Sequence, residues 1–132
     1  MNKLKLFLLI LFSQFLNSQS IIGAWEKYET NSDGSTHRHV VIFSEGFKSI
    51  SVFDSSNGKF ISTNGGSWFL DGSTLTEKIE FDTQDQEKVG STIKFEIDIK
   101  DNTVTNINSG KAWNRIDAVS YTHLRAHETR PN

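Results

Sequence analysis

Ser91-Thr-Ile-Lys-Phe-Glu-Ile-Asp-Ile-Lys100 is the stretch that decides the fold, because apolar and polar residues alternate along it. One face of the stretch carries Ile93, Phe95, Ile97 and Ile99, and the other carries Thr92, Lys94, Glu96 and Asp98. A period of two residues is typical of a β-strand with one buried and one solvated face. A slip of one residue would expose the whole apolar set, so the register of this strand is determined by its own pattern.

The rest of the central sequence consists of similar short runs that are separated by turn residues. Gly, Asn, Asp and Ser lie between the runs, as in Asn31-Ser-Asp-Gly34 and Asn64-Gly-Gly66, and they favour tight reversals of the chain. We predict about nine strands, at residues 22–30, 36–44, 47–54, 59–63, 67–70, 74–81, 91–100, 103–108 and 111–117. Short links favour pairing between neighbours in sequence, so the pattern predicts an all-β antiparallel meander.

A meander of this size can form a sandwich or a barrel, and the period of two does not separate these folds. A closed barrel leaves no edge strand, whereas a small exported sandwich has to protect its edges from pairing with other chains. We therefore expect a small up-and-down barrel. Its predicted span, residues 21–117, is short enough for one domain with one core.

Composition excludes several classes of function. The chain has 14 Lys and Arg residues against 16 Asp and Glu residues, and the basic residues are scattered rather than clustered. Nucleic-acid binding needs a basic stripe that displaces counterions from phosphates, so we expect no nucleic-acid partner. The absence of cysteine excludes disulfides, thiolate catalysis and thiol-ligated metal sites.

The first 20 residues have the pattern of a secretory signal peptide. Lys3 and Lys5 precede an apolar run that starts at Leu6, and Ser18 and Ser20 supply small residues near its end. The run is too short for a permanent membrane anchor, which needs about 20 apolar residues. We predict a signal-peptide helix that is cleaved after Ser18 or Ser20, which would give a secreted or periplasmic protein without a stable membrane anchor.

Residues 118–132 show neither strand alternation nor a helical face. Val119 to Thr129 resembles one reading frame of a widely used transposon mosaic-end sequencing adapter, so we expect this tail to be non-native. The natural C-terminus would then lie beyond Asp117, outside the sequence. For the same reason His123, His127 and Glu128 are given no weight as a metal site.

Several short motifs together resemble one protein family. They are Gly23-Ala-Trp25, Gly65-Gly66-Ser-Trp68, Thr76-Glu77 with Ile79-Glu80-Phe81, Val89-Gly90 and Trp113-Asn-Arg115-Ile-Asp117. As a set they resemble the secreted lipocalin-like domain proteins of Bacteroidetes, which are distant members of the calycin superfamily. The resemblance covers nearly all of residues 21–117.

The resemblance implies an up-and-down β-barrel with a central cavity. It further implies a structural role for Trp25 and Arg115, with the tryptophan at the closed end of the barrel under the basic residue of the last strand. The chain is much shorter than the larger lipocalins, lacks their disulfide, and has only residues 31–35 where fatty-acid-binding proteins insert a helical lid. A long acyl ligand is therefore not expected.

Glu77 is the sharpest candidate for a ligand-binding residue. A carboxylate on the apolar face of a strand either binds something or needs a buried partner, which could be Arg38, Lys78 or a backbone amide. In the ligand-binding interpretation Glu77 and Arg38 are polar anchors, and Trp68 and Phe43 line the pocket. In the alternative, the aromatic residues of the chain merely fill a small core.

His37 and His39 alternate with Arg38, so both histidines project to one face of the second strand. Two histidines at this spacing can hold a metal, but zinc needs a third ligand that the sequence does not identify. We expect solvent-facing histidines beside a turn, and we predict no metal and no cofactor. The sequence also contains no nucleophile arrangement, phosphate loop or paired-carboxylate motif, so we predict that the protein is not an enzyme.

Three hypotheses for function remain. The first is an exported binding protein that holds a small apolar or amphipathic molecule in its barrel. The second is a secreted protein-interaction or inhibitor module whose barrel is packed solid. The third, ranked last, is a calycin-type enzyme or haem protein.

Overall fold

The computed structural model describes Lys3 and residues 20–117. The predicted signal-peptide helix, apart from Lys3 and Ser20, and the predicted adapter-derived tail lie outside the described residues. Within the part that is described, no helix has the length and hydrophobicity needed to cross a membrane.

The described chain is all-β, as predicted. Its elements are the strands β1 (Gly23–Thr30), β2 (Thr36–Ser44), β3 (Phe47–Asp54), β4 (Phe60–Asp71), β5 (Thr74–Lys78), β6 (Phe81–Asp82), β7 (Thr92–Lys100), β8 (Thr103–Asn106) and β9 (Ala112–Arg115), with one 3-10 turn at Gln86–Lys88. The glycines of the β1–β2, β2–β3 and β3–β4 turns all have positive φ, which suits tight reversals.

Eight of these strands form a closed antiparallel barrel. Each strand pairs with the next along the chain, except that β5 pairs with β7, and β1 pairs with β9 to complete the ring. Trp25 lies opposite Arg115 at this closing seam. The two-residue strand β6 lies outside the ring and pairs with Asn64 and Gly65 of β4. The predicted up-and-down barrel is confirmed.

The prediction of two strands at 59–63 and 67–70 with a turn between them was wrong. Both belong to β4, which runs through Gly65 and Gly66 without reversing. A Cβ atom on Gly65 would lie 2.4 Å from the carbonyl oxygen of Lys48, and one on Gly66 would lie 1.9 Å from that of Lys78. These glycines therefore allow neighbouring backbones to approach closely, which is a different use of glycine from a turn.

The prediction of one strand at 74–81 was also wrong in detail. Pairing is interrupted after Lys78, where the amide of Ile79 bonds to the carbonyl of Ser91 while the next amide, from Glu80, bonds to the carbonyl of Gly65. These two consecutive amides therefore donate to different neighbouring segments, the first to the residue just before β7 and the second to β4. The result is a break between β5 and β6.

The hydrophobic core fills the interior of the barrel. Its buried members are Ile21, Trp25, Val41, Phe43, Leu75, Ile97 and Val104. On β7, Ile97 is buried and Phe95 and Ile99 pack against the core, whereas Ile93 at the start of the strand is 42% exposed. The alternation therefore identified the inward face of β7 correctly, although Ile93, the first residue of that apolar set, is exposed.

Candidate functional site

One end of the barrel is closed by the residues just before β1. The guanidinium carbon of Arg115 lies 4.1 Å from the centre of the Trp25 ring, and the indole Nε1 of Trp25 donates to the carbonyl of Ile21 at 2.8 Å. Arg115 also donates to the carbonyls of Ile22 at 3.1 Å and of Ser20 at 2.5 Å. These bonds tie the entering chain across this end of the barrel, with Arg115 over Trp25.

A cavity of about 70 Å³ lies inside the barrel, with Trp25 in its wall. Its walls are mostly apolar, and two of the predicted ligand residues, Phe43 and Glu77, take part in them. The other lining residues are Ile21, Trp25, Val41, Lys48, Ile50, Leu75, Phe95, Ile97, Val104, Asn106 and Trp113. Ligand pockets for drug-sized molecules usually measure about 300–1,000 Å³, so this cavity suits only a small molecule or part of one.

Glu77 is buried in the wall of this cavity with a lysine as its partner. Its Oε2 accepts a hydrogen bond from Lys48 Nζ at 2.6 Å, and the two side chains are only 8% and 11% exposed. The Lys48 ammonium is also 5.9 Å from the centre of the Phe43 ring. Lys48 was missed from sequence, although it alternates with Ile50 and Val52 on β3 and so had to share their inward face.

Trp68 is not among the residues that line the cavity, but it packs against Phe43, which is. Its ring meets that of Phe43 edge-on at 5.3 Å between centroids. The Nε1 of Trp68 donates to the carbonyls of Ser44 and Phe47 at 2.9 and 3.0 Å, and these two residues flank the β2–β3 turn. Trp68 therefore holds that turn against Phe43.

Arg38 lies on the outer face of the barrel, away from Glu77. Its Nε donates to Glu26 Oε2 at 2.8 Å. Cross-strand pairing places Tyr28, Arg38, Phe53 and Phe60 side by side on β1 to β4, and we call these four residues the outer row. Tyr28 and Phe60 are 58% and 57% exposed, and Tyr28, Arg38 and Phe53 border an open depression of about 280 Å³.

The end of the barrel opposite Arg115 is the mouth, and inward-facing charged residues gather there. Glu29 accepts from Lys27 at 3.0 Å and from Lys111, and its other carboxylate oxygen lies 3.3 Å from His39 Nε2. The Lys27 ammonium lies 4.7 Å from the centre of the Trp113 ring, and His39 meets that ring edge-on at 6.2 Å. We call Lys27, Glu29, His39, Lys111 and Trp113 the mouth cluster.

The electrostatics of the mouth cluster follow from these contacts. The pKa of Glu29 falls from 4.5 to about 2, chiefly because Lys111 donates to it, with burial opposing this effect and Lys27 adding to it. Burial lowers the pKa of His39 below its usual 6.5, and the charge of Lys27 lowers it further. At neutral pH the cluster therefore holds two ammonium groups, one carboxylate and a neutral imidazole.

The expectation of solvent-facing histidines was wrong for His39, whose side chain is 17% exposed in the mouth of the barrel. His37 shares the inward face of β2, and its Nδ1 lies 3.3 Å from the side-chain Nδ2 of Asn31. Among the residues that the structure describes, no three His, Cys, Asp or Glu side chains are grouped so as to hold a metal ion.

No protein-family model, curated protein or solved structure matches this chain. Its function is therefore inferred from its own residues and their geometry.

Proposed function

We propose that this chain is an exported, lipocalin-like binding protein that holds a small apolar or amphipathic molecule inside its barrel and performs no catalysis. The observation that carries the proposal is the mostly apolar cavity inside the barrel, which Trp25 and Trp113 both line. A cavity with mostly apolar walls favours a small apolar occupant, because the ligand makes dispersion contacts that the walls otherwise lack.

The size of the cavity limits the ligand. A cavity of roughly 150 Å³ binds benzene, and this one has about half that volume. A ligand of benzene size therefore needs a small rearrangement of the half-buried residues near the mouth, of which Trp113 and Phe95 are the largest. A ligand with a polar group would keep that group at the mouth, since the deeper Lys48 and Glu77 already neutralise each other.

The proposal is tested by titrating the isotopically labelled full chain with benzene and with xenon while amide shifts are followed by NMR. We expect shifts confined to the amides of Leu75, Ile97, Val104 and Trp113. Leu75→Trp fills the cavity and should abolish them, whereas Ile42→Trp adds the same side chain on the outer face and should leave them intact. Shifts that are absent, or that survive Leu75→Trp, would contradict the proposal.

Export is a separate part of the proposal and rests on the first 20 residues. Its test is the mass of the protein recovered from culture medium or periplasm. We expect a chain that begins at Gln19 or Ile21, whereas an intact Met1 in the cell interior would contradict export.

A second candidate function, a protein-interaction module, is favoured by the outer row. Tyr and Arg are enriched among the residues that dominate binding energy at protein interfaces, and here they stand beside two phenylalanines on adjacent strands. A partner crosslinked to the native protein and lost in the Tyr28→Ser/Phe60→Ser variant, but retained in Leu75→Trp, would support this function over ligand binding.

A further inference from the structure

The mouth cluster carries an excess of positive charge, and one of its members, Trp113, also lines the cavity. Lys27 and Lys111 both donate to Glu29, so one carboxylate serves two ammonium groups. His39 Nε2 lies 3.3 Å from the other oxygen of Glu29 and can donate to an anion as well. On the same rim, His37 lies opposite Asp54, whose carboxylate is held by the amide and hydroxyl of Ser56.

Trp113 connects this charge to the cavity. Its ring takes part in the cavity wall and at the same time lies 4.7 Å from the Lys27 ammonium. The Lys27 ammonium and the apolar volume of the cavity therefore both lie against the ring of Trp113. The position of the charge and the position of the apolar volume fit one amphipathic molecule.

The Lys48–Glu77 pair and the mouth cluster differ in how readily they can bind a polar group of a ligand. Lys48 and Glu77 are both about nine-tenths buried and bonded to each other, so separating them would leave a desolvated charge. In the mouth cluster, Lys111 is 56% exposed and Glu29 is 28% exposed. Lys111 and Glu29 therefore remain in contact with water and can exchange partners at little desolvation cost, whereas Lys27, 12% exposed, is the buried side of the cluster.

We propose that the mouth cluster is a headgroup site that selects small apolar carboxylates, with the carboxylate held by Lys27 and Lys111 and the apolar body in the cavity. This inference rests on the proposed function and adds the charge of the ligand to it. The ligand carboxylate takes the place of the Glu29 side chain on the two ammonium groups, forming charge-assisted hydrogen bonds of the same kind.

Competition between Glu29 and the ligand gives the proposal an unusual consequence. Glu29→Gln removes the internal competitor and leaves both lysines in place. This variant should therefore bind a carboxylate more tightly than the wild type, by about tenfold if one charge-assisted bond is gained. A residue that merely supports the barrel would not produce a gain of affinity when replaced.

The experiment compares three probes with the same ring and different charge, namely benzoate, benzyl alcohol and benzylammonium, by NMR titration of the full chain. We expect benzoate to bind about tenfold more tightly than benzyl alcohol, and benzylammonium to bind most weakly. The preference for benzoate should shrink as salt is added, because Lys111 is 56% exposed and its charge is screened.

Variants locate the preference. Lys27→Met/Lys111→Met should reduce benzoate binding to the level of benzyl alcohol, and the single Lys111→Met change, at an exposed position, should give part of that loss if the double variant folds poorly. Lys59→Met removes an exposed lysine from the β3–β4 turn and should change nothing. Equal binding of benzoate and benzyl alcohol would overturn the headgroup site alone, whereas failure of all three probes would overturn the proposed function with it.

Discussion

Lys48 Nζ lies 2.6 Å from Glu77 Oε2, although the two residues belong to β3 and β5 and the strand β4 runs between them. Lys48 is opposite Gly66 on β4, and Glu77 is opposite Trp68 two residues further along. Gly66 presents no side chain at this point, so the lysine can reach across β4 inside the barrel. The buried ion pair thereby links β3 to β5 across β4.

Removing only one partner of this ion pair should lower the free energy of unfolding substantially. Lys48→Met leaves the Glu77 carboxylate buried without its partner, and we expect a loss of about 3 kcal/mol in the free energy of unfolding. The double variant Lys48→Met/Glu77→Leu removes both charges and should lie within about 1 kcal/mol of the wild type. Urea denaturation measures both values, and Lys59→Met is the exposed control. A double variant as unstable as the single one would contradict this account.

Arg115 should stabilise the closed end through its bonds more than through its charge. Arg115→Lys keeps a cation but cannot reach the carbonyls of Ser20 and Ile22 together, so we expect a loss of about 2 kcal/mol. The indole proton of Trp25 should exchange faster with solvent, because its acceptor Ile21 lies in the released segment. Arg38→Lys, at a half-exposed outer position, should cost less than about 1 kcal/mol. Unchanged exchange at Trp25 would show that Arg115 does not hold this segment.

Much of the fold could be predicted because it depends on local patterns. Alternation along β7 shows its inward face, and turn residues mark most of the reversals. Gly65 and Gly66 were misread because glycine serves both turns and close backbone contacts. The difference lies in the carbonyls of Lys48 and Lys78, and only the assembled barrel brings these to the two glycines.

The candidate site was predictable only in part. Glu77 was identified by its place on an apolar face, yet alternation alone puts Lys78 on the opposite face and could have excluded it as a partner. Lys27 and Glu29 lie on the same inward face of β1 as Trp25. In sequence, however, a polar strand end that faces the barrel interior looks the same as one that faces solvent. Their meeting with Lys111 depends on closure of the ring between β1 and β9.

Gly66 should tolerate substitution much less well than a glycine in an open turn. A Cβ atom at this position would meet the Lys78 carbonyl at 1.9 Å, so Gly66→Ala requires β4 and the following segment to separate. We expect a loss of more than about 3 kcal/mol, typical of severe overpacking. Gly72→Ala also occupies a position with positive φ, but it meets nothing within 4 Å and should cost only about 1 kcal/mol. Similar thermal midpoints for the two variants would contradict the close approach.

Stability at acidic pH should depend on Glu29. Its pKa is about 2 in the folded chain against an ordinary value of 4.5, so the unfolded chain takes up the proton first as the pH falls. The stabilisation by Glu29 is therefore complete above about pH 4.5 and is lost as the pH falls toward 2. Because Glu29 is partly exposed, we expect this contribution to be about 1 kcal/mol.

The measurement compares urea denaturation of the wild type and of Glu29→Gln at about pH 6 and about pH 2.5. Glu29→Gln should be less stable by about 1 kcal/mol at the higher pH, and most of the difference should disappear at the lower pH, where Glu29 is protonated in the unfolded wild-type chain. Glu45→Gln, in the exposed β2–β3 turn, is the matched control and should follow the wild type at both values. A stability difference that persists undiminished at about pH 2.5 would mean that Glu29 acts by packing, since protonation of the unfolded chain has by then removed most of the electrostatic stabilisation.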